Sequence, residues 1–237
     1  MMKIACWSGP RNISTALMRS WSSRKDSFVS DEPFYSYYLK KTGLKHPMHQ
    51  EIINKYPSKL EDIIEYLLGP IPNEGRIWYQ KHMAHHILDF NKIDFILSFN
   101  NTFLIRNPKY VIPSYKRKNR LKSHEELGYY QQVQLINFLE ANNKNYTIID
   151  SGRLLKTPRE ILKKWCKEVE IPFDENMLKW QKGHYPSDGI WGIHWYDNVI
   201  NSNTFKNETT QNNDIYFEDE IYKICKNYYN RMLDFAL

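Results

Sequence analysis

Two separated segments of this sequence carry groups suited to holding an anion. In the first, Lys3-Ile4-Ala5-Cys6-Trp7 leads through Ser8-Gly9-Pro10-Arg11-Asn12-Ile13 to the hydroxyl pair Ser14-Thr15 and an amphipathic stretch. An apolar run, a tight turn and a hydroxyl-opened helix predict a cradle of backbone N–H groups at a helix N-terminus. Arg11 adds a permanent cation, and Ser14 and Thr15 add hydroxyl donors. In the second, Leu104-Ile105-Arg106-Asn107-Pro108 delivers an arginine from a strand, and a proline-started helix presents Ser114 about two turns later. A guanidinium fork converging with a hydroxyl suits a terminal phosphate.

A third segment, Tyr79-Gln80-Lys81-His82-Met83-Ala84-His85-His86, follows another strand with a lysine and three imidazoles. Only imidazole titrates near neutrality without help, which makes a histidine the natural group wherever a proton has to be taken up, with His82 the first candidate and His85 the reserve. His82 and His86 stand four apart, as zinc ligands on a helix can. The glutamate of His-Glu-x-x-His is missing and no cysteine or carboxylate completes a set, so no metal is expected. Asp31-Glu32-Pro33-Phe34-Tyr35 closes a second short strand; a carboxylate there could orient an acceptor, with Phe34, Tyr35 and Tyr38 lining its pocket.

The elements that must position these groups alternate. Strands are expected at the N-terminus and around residues 28–30, 76–81, 103–105 and 146–149, and helices over 14–23, 60–68, 125–141 and 158–169. A further helix starts at about Glu218, and residues 183–213 read as loop-rich. Alternating strands and helices imply a parallel sheet, and in such sheets ligands sit beyond the carboxyl ends of the strands. Arg11, Glu32, Lys81, His82 and Arg106 all follow strand ends. No repeat, low-complexity linker or charge block divides the chain, so one domain is expected over 1–237.

Composition narrows the partners. The hydrophobic share of 41% and aromatic share of 15% specify a folded globule. A net charge of +6 suits an anionic ligand without giving a nucleic-acid footprint. The run Lys116-Arg117-Lys118-Asn119-Arg120-Leu121-Lys122 reads as a solvated face that could also raise the local potential for a polyanion. Three dispersed cysteines, Cys6, Cys166 and Cys225, speak for a reducing compartment. No apolar run spans a bilayer and none near the N-terminus forms a signal peptide, so a cytoplasmic location is expected, with no membrane partner.

The anion loop lacks the Gly-Lys-Ser/Thr of an ATP-binding Walker loop. It resembles instead the donor loop of sulfotransferases, whose pattern runs basic, Ser, Gly, Ser/Thr, Thr. On that match Arg11 takes the basic place, Asn12 the serine place, Ile13 the glycine place, and Ser14 and Thr15 the hydroxyl places. The segment from Arg106 to Ser114 resembles the family's 3′-phosphate-binding segment, and Lys81-His82 resembles its Lys-x-His element without the spacer. The strand and loop from Tyr146 to Pro158 and the later Pro172-Phe173 resemble the family's late strand–loop–helix. Trp180-Gln181-Lys182-Gly183 with Gly189-Ile190-Trp191 resembles its late loop over the nucleotide, where Lys182 is the remaining cation.

The resemblance implies a P-loop NTPase-like three-layer α/β sandwich with a central, mainly parallel sheet. It implies transfer of a sulfuryl group from PAPS (3′-phosphoadenosine-5′-phosphosulfate) to a hydroxyl or amine of a small-molecule acceptor, without a metal. His82 would take the acceptor proton, and Lys81 and Ser14 would stabilise charge on the leaving oxygen. Arg11, Asn12, Ile13, Ser14, Thr15, Arg106, Ser114 and Lys182 would hold the donor. The competing readings are a P-loop kinase using ATP and Mg²⁺, and a nucleotide-binding module without catalysis. Acceptor identity and oligomeric state stay open.

Overall fold

The computed structural model describes residues 1–206 and 219–237. Five strands form the centre: β1 (Met2–Ser8), β2 (Ser27–Asp31), β3 (Ile77–Met83), β4 (Asn100–Ile105) and β5 (Tyr146–Asp150). Their order is β2-β3-β1-β4-β5, with every pairing parallel. Parallel neighbours need crossovers, and these are helical. The helices are α1 (Ser14–Ser22), α2 (Tyr35–Thr42), α3 (His49–Lys55), α4 (Leu60–Leu68), α5 (Pro108–Lys116), α6 (Tyr129–Ala141), α7 (Ser151–Lys156) and α8 (Pro158–Glu168). The single-turn α9 (Gly192–Trp195) and α10 (Asp197–Ile200) and the long α11 (Glu220–Leu233) follow.

Strand parity sorts the core into two layers, because successive side chains leave a strand on opposite faces. Ala5, Trp7, Trp78, Phe103, Ile105 and Ile148 pack with residues of α4, α5, α6 and α11. Ile4, Cys6, Ile77, Tyr79, Leu104 and Ile149 pack with residues of α1, α7 and α8. The sheet therefore lies between two helical layers. A smaller third cluster joins Tyr35, Tyr38 and Leu39 of α2 to Trp191, Tyr196 and Val199.

The expected strands and the helices over 14–23, 60–68 and 158–169 are present within a few residues. The long helix expected over 125–141 is split. A 3₁₀ turn, His124–Leu127, precedes α6, and Gly128 between them sits at φ 77°. A Cβ on Gly128 would lie 3.1 Å from Gly9 Cα, and one on Gly9 would lie 2.1 Å from Leu127 O. The helix breaks because the anion loop rests directly on this turn. The loop-rich span contains α9 and α10, while its residues 207–213, like the expected helix start at Glu218, lie outside the described residues.

Candidate active site

The carboxyl ends of the strands open into a cleft of about 780 Å³. Its floor is the loop between β1 and α1. Ile13 takes the left-handed conformation, φ 60°, that glycine adopts at no steric cost, and Arg11 does the same at φ 63°. Such positions cost about 1–3 kcal/mol each and persist only where the surroundings over-determine them. Here the surroundings are visible. Asn12 Nδ2 donates to Leu104 O at 3.0 Å, and Ser151 Oγ donates to Asn12 O at 3.1 Å. Arg106 donates to Arg11 O at 2.5 Å. The first intrahelical bond runs from Leu17 N to Ile13 O, so the amides of Ser14, Thr15 and Ala16 precede it on the cleft floor.

The two anion-binding segments meet. Arg11 Nε donates to Ser114 Oγ at 2.9 Å, across 103 residues of sequence. Asn107 caps α5 by accepting from Lys109 N at 3.0 Å, and Tyr129 OH donates to Arg106 O at 2.6 Å. Arg11, Asn12, Ile13, Ser14, Thr15, Arg106 and Ser114 all line the cleft, with Lys109, Arg117 and Lys118 beside them. Burial, then Arg117 and Arg106, push the Arg11 guanidinium below its ordinary pKa, against the pull of Asp197. Crowded guanidinium groups on a cradle of helix amides make a site that an anion relieves.

The other end of the cleft is built on β2 and β3. Asp31 and Lys81 are register partners. Lys81 Nζ donates to Asp31 Oδ1 at 2.8 Å, Glu32 Oε1 at 2.5 Å and Tyr196 OH at 2.8 Å. Its side chain is 1% exposed. Burial opposes the ammonium charge, but Asp31 and Glu32 outweigh it and the Lys81 pKa is raised. Glu32 has φ 45°, a strained value for a non-glycine residue. Burial, assisted by Asp31, raises its carboxyl pKa despite Lys81. Tyr196 OH donates to Asp31 and receives Trp191 Nε1–H at 3.1 Å, while Gly189 N donates to Asp31 Oδ2 at 3.0 Å. Asp31 thus ties the late segment to the strand ends.

His82 does not reach the cleft. β3 extends through Met83, so Lys81 and His82 leave on opposite faces. His82 is fully buried against Trp7, ring centroids 4.4 Å apart, and its Nε2 meets Gln80 Oε1 at 3.2 Å. Burial, and then Lys81, lower its pKa to about 3. That environment suits a neutral core histidine. His85 does line the cleft, beside His86 and His46. Lys182 is exposed and outside the cleft wall, where Lys206 stands instead. His46, Tyr196 and Lys206 were not singled out by sequence reasoning as site residues, and Asp31 and His86 entered it only within the acidic strand end and the histidine cluster. For Asp31 the available signal was its place directly before Glu32 at a strand end.

With this geometry in hand, comparison with known proteins identifies the family. A family model described as "Sulfotransferase domain" matches residues 2–236, and the chain belongs to that family. Two Arabidopsis thaliana proteins, branched-chain-amino-acid aminotransferase-like proteins 2 and 1, are 33% identical over 205 residues and 34% identical over 203. These alignments cover 86% and 85% of this chain but 36% of each relative, so the chain spans about a third of their length.

Among solved structures, the sulfotransferase domain from the Synechococcus PCC 7002 olefin synthase matches with TM-score 0.55 and 16% identity. That alignment covers 85% of this chain and 90% of that one. The sulfotransferase domain from the curacin biosynthetic pathway matches with TM-score 0.51 and 13% identity, over 99% and 91% of the two chains. The fold is the P-loop NTPase-like α/β sandwich of these proteins. Among the described residues, no helix is long and apolar enough to cross a membrane.

Proposed function

We propose that this chain is a single sulfotransferase domain that moves a sulfuryl group from PAPS to a hydroxyl or amine of a small molecule. The observation that carries the reading is the union of the two anion segments, through the bonds from Arg11 to Ser114 and from Arg106 to Arg11 O. On this reading the amides of Ser14, Thr15 and Ala16, with Arg11, hold the 5′-phosphosulfate, and Ser14 faces the leaving oxygen. Arg106 and Ser114 hold the 3′-phosphate, with Lys206 in the part first expected of Lys182. Asn12 is 1% exposed with its Nδ2 bonded to Leu104 O, so its part is to shape the cradle through its backbone. The donor supplies an electrophilic sulfur joined to a good phosphate leaving group.

Glu32 replaces His82 as the proposed base. A carboxylate with a raised pKa that lines the cleft, its side chain 11% exposed and fixed through one oxygen by Lys81, is poised to take the acceptor proton. Asp31 and Glu32 share the single ammonium of Lys81. Protonating Glu32 leaves the matched Asp31–Lys81 pair, so the local charge favours that transfer. The three cysteines are buried and free, with thiol pKa values pushed up by burial to about 12, 11 and 12, in keeping with a reducing, cytoplasmic setting.

Calorimetric titration with PAP (PAPS without its sulfuryl group), ADP and ATP, each with and without Mg²⁺, tests the donor. Metal-independent PAP binding, much tighter than ADP, is expected. Mg²⁺-dependent ATP binding that ignores the 3′-phosphate would make the protein a phosphotransferase. In turnover, Glu32→Gln should lower kcat roughly 10²–10⁴-fold with PAP affinity unchanged; unchanged turnover would remove Glu32 as the base.

A further inference from the structure

Tyr196 closes a hydrogen-bond network that the transfer chemistry above uses only in part. It stands between α9 and α10, is 5% exposed, and lines the cleft with Glu32 and Lys81. A hydroxyl has one proton to give and two lone pairs to fill. Tyr196 OH receives Lys81 Nζ–H at 2.8 Å and Trp191 Nε1–H at 3.1 Å, which fills both. Its own proton must therefore go to a carboxylate. Asp31 lies at 2.8 and 2.7 Å and Glu32 Oε1 at 3.5 Å, so Asp31 takes it.

The same count exhausts Lys81. An ammonium has three hydrogens, and these go to Asp31 Oδ1, Glu32 Oε1 and Tyr196 OH. None is left for a bound anion while these bonds stand, so the lysine acts on the carboxylates. Asp31 collects Lys81, Tyr196 and the N–H of Gly189. Glu32 is held through Oε1, and its Oε2 has no hydrogen bond among the described residues.

The other groups around Glu32 leave its charge to this network. From α2, Tyr35 N donates to Glu32 O at 3.0 Å, and Tyr35 OH bonds His46 Nδ1 at 2.8 Å. His46, His85 and His86 line the cleft with pKa values lowered first by burial. Lys118 and Asp197 line it too, paired with each other. Burial raises the Glu32 pKa, Lys81 lowers it, and Asp31 raises it again. Burial, then Asp31 and Glu32, hold the Tyr196 phenol well above its ordinary pKa, so it keeps its proton and stays a donor.

We infer that Tyr196 is a positioning residue for the transfer: by donating to Asp31 and receiving Lys81, it keeps one oxygen of Glu32 fixed and the other open to the acceptor proton. The inference rests on Glu32 as the base in the sulfotransferase reading. Without the hydroxyl, Asp31 loses a donor and draws Lys81 away from Glu32. The Glu32 carboxylate is then less compensated and holds a proton more tightly.

NMR of the full chain labelled with carbon-13 glutamate follows the carboxyl groups across pH, with Glu32→Gln assigning the Glu32 signal. Tyr196→Phe should raise the Glu32 midpoint by roughly 1 pH unit. Tyr56→Phe is the control: Tyr56 OH receives Ile190 N–H at 3.2 Å, a bond that tethers the same segment away from Lys81, and the midpoint should stay. Asp31→Asn gives the Lys81 charge to Glu32 alone and should lower the midpoint by roughly 1 pH unit. In that background Tyr196→Phe should move it far less, because the two residues act through one pair. A midpoint that does not rise in Tyr196→Phe, or rises equally in Tyr56→Phe, overturns the inference. So does one that does not fall in Asp31→Asn, which decides the matter even if Tyr196→Phe fails to fold. Calorimetry with PAP on the same samples separates the readings. Failure of the wild type to bind PAP overturns the donor reading and the role given to Glu32 together; PAP binding with an unmoved Glu32 midpoint overturns this inference alone.

Discussion

Asp188→Asn should destabilise the protein by about 3 kcal/mol, although Asp188 stands in the late segment rather than in a strand. The reason lies in its partner. Arg19 is fully buried within α1, and its guanidinium donates twice to Asp188, at 2.5 and 2.6 Å. The two side chains are 1% and 5% exposed. Tyr185 lies 3.9 Å from the guanidinium carbon, and Tyr185 N donates to Asp188 Oδ2 at 2.9 Å. Breaking a buried ion pair from one side costs about 3–5 kcal/mol, because the remaining charge stays desolvated. An amide keeps the side-chain shape and one acceptor oxygen, so the lower end applies. For a chain of this size that is a fall in Tm of roughly 6–12 °C. Urea unfolding followed by tryptophan fluorescence measures it. The double variant Arg19→Met/Asp188→Leu removes both charges and should recover most of the loss, since apolar replacements of buried pairs are often neutral or stabilising. A loss under about 1 kcal/mol in Asp188→Asn, or a double variant no better than the single one, would refute the argument.

Three other outcomes follow from the same structure. The His82 pKa is about 3 when folded against 6.5 for a free imidazole, so the unfolded chain binds its proton first as pH falls. Stability from this group is complete above pH 6.5 and drains away toward pH 3, by about 2 kcal/mol between pH 6.5 and 5. Urea unfolding across that range should show a shallower pH slope in His82→Phe, and equal slopes would rule the assignment out. Gly9→Ala drives a Cβ to 2.1 Å from Leu127 O and should cost about 1–3 kcal/mol together with PAP affinity. Gly43→Ala, left-handed but in open space, should cost about 1 kcal/mol and leave affinity alone; similar behaviour of the two variants would refute the close-approach reading. Arg106→Gln should weaken PAP roughly 10–100-fold through loss of a charged hydrogen bond, and AMP by clearly less, since AMP loses only the loop support given by the bond to Arg11 O. Equal losses for both nucleotides would detach Arg106 from the 3′-phosphate.

The position of the cleft was legible because parallel topology leaves no choice. Every β-to-α turn of such a sheet lies at one edge, so the residues following the strands had to assemble there. Side-chain direction was not legible, and His82 shows why. A strand ending at Lys81 would have left His82 in a turn, free to enter the cleft. The real strand continues to Met83, and period-two alternation sends His82 to the opposite layer, against Trp7. The lysine–histidine pair could not both face one ligand while adjacent in a strand. Tyr196 was hidden for a different cause. Its bonds to Asp31 cross 165 residues and depend on how an aperiodic segment folds back, which no local pattern records. Ile13 fits the loop because neighbouring bonds to Asn12 and Arg11 carbonyls fix a conformation that its own β-branch disfavours.

Strand order explains why the cleft has two chemically different ends. With the order β2-β3-β1-β4-β5, the turns after β1 and β4 are neighbours, and those after β2 and β3 are neighbours. The first pair carries Arg11 and Arg106; the second carries Glu32, His85 and His86. Lys81, on β3 beside β1, stands between the two groups. On the proposed reading the sulfuryl group passes over the β1–β3 boundary, where Ser14 of the floor and Lys81 of the wall line the same cleft. On that reading a donor bound over β1 and β4 leaves the space over β2 and β3 to the acceptor.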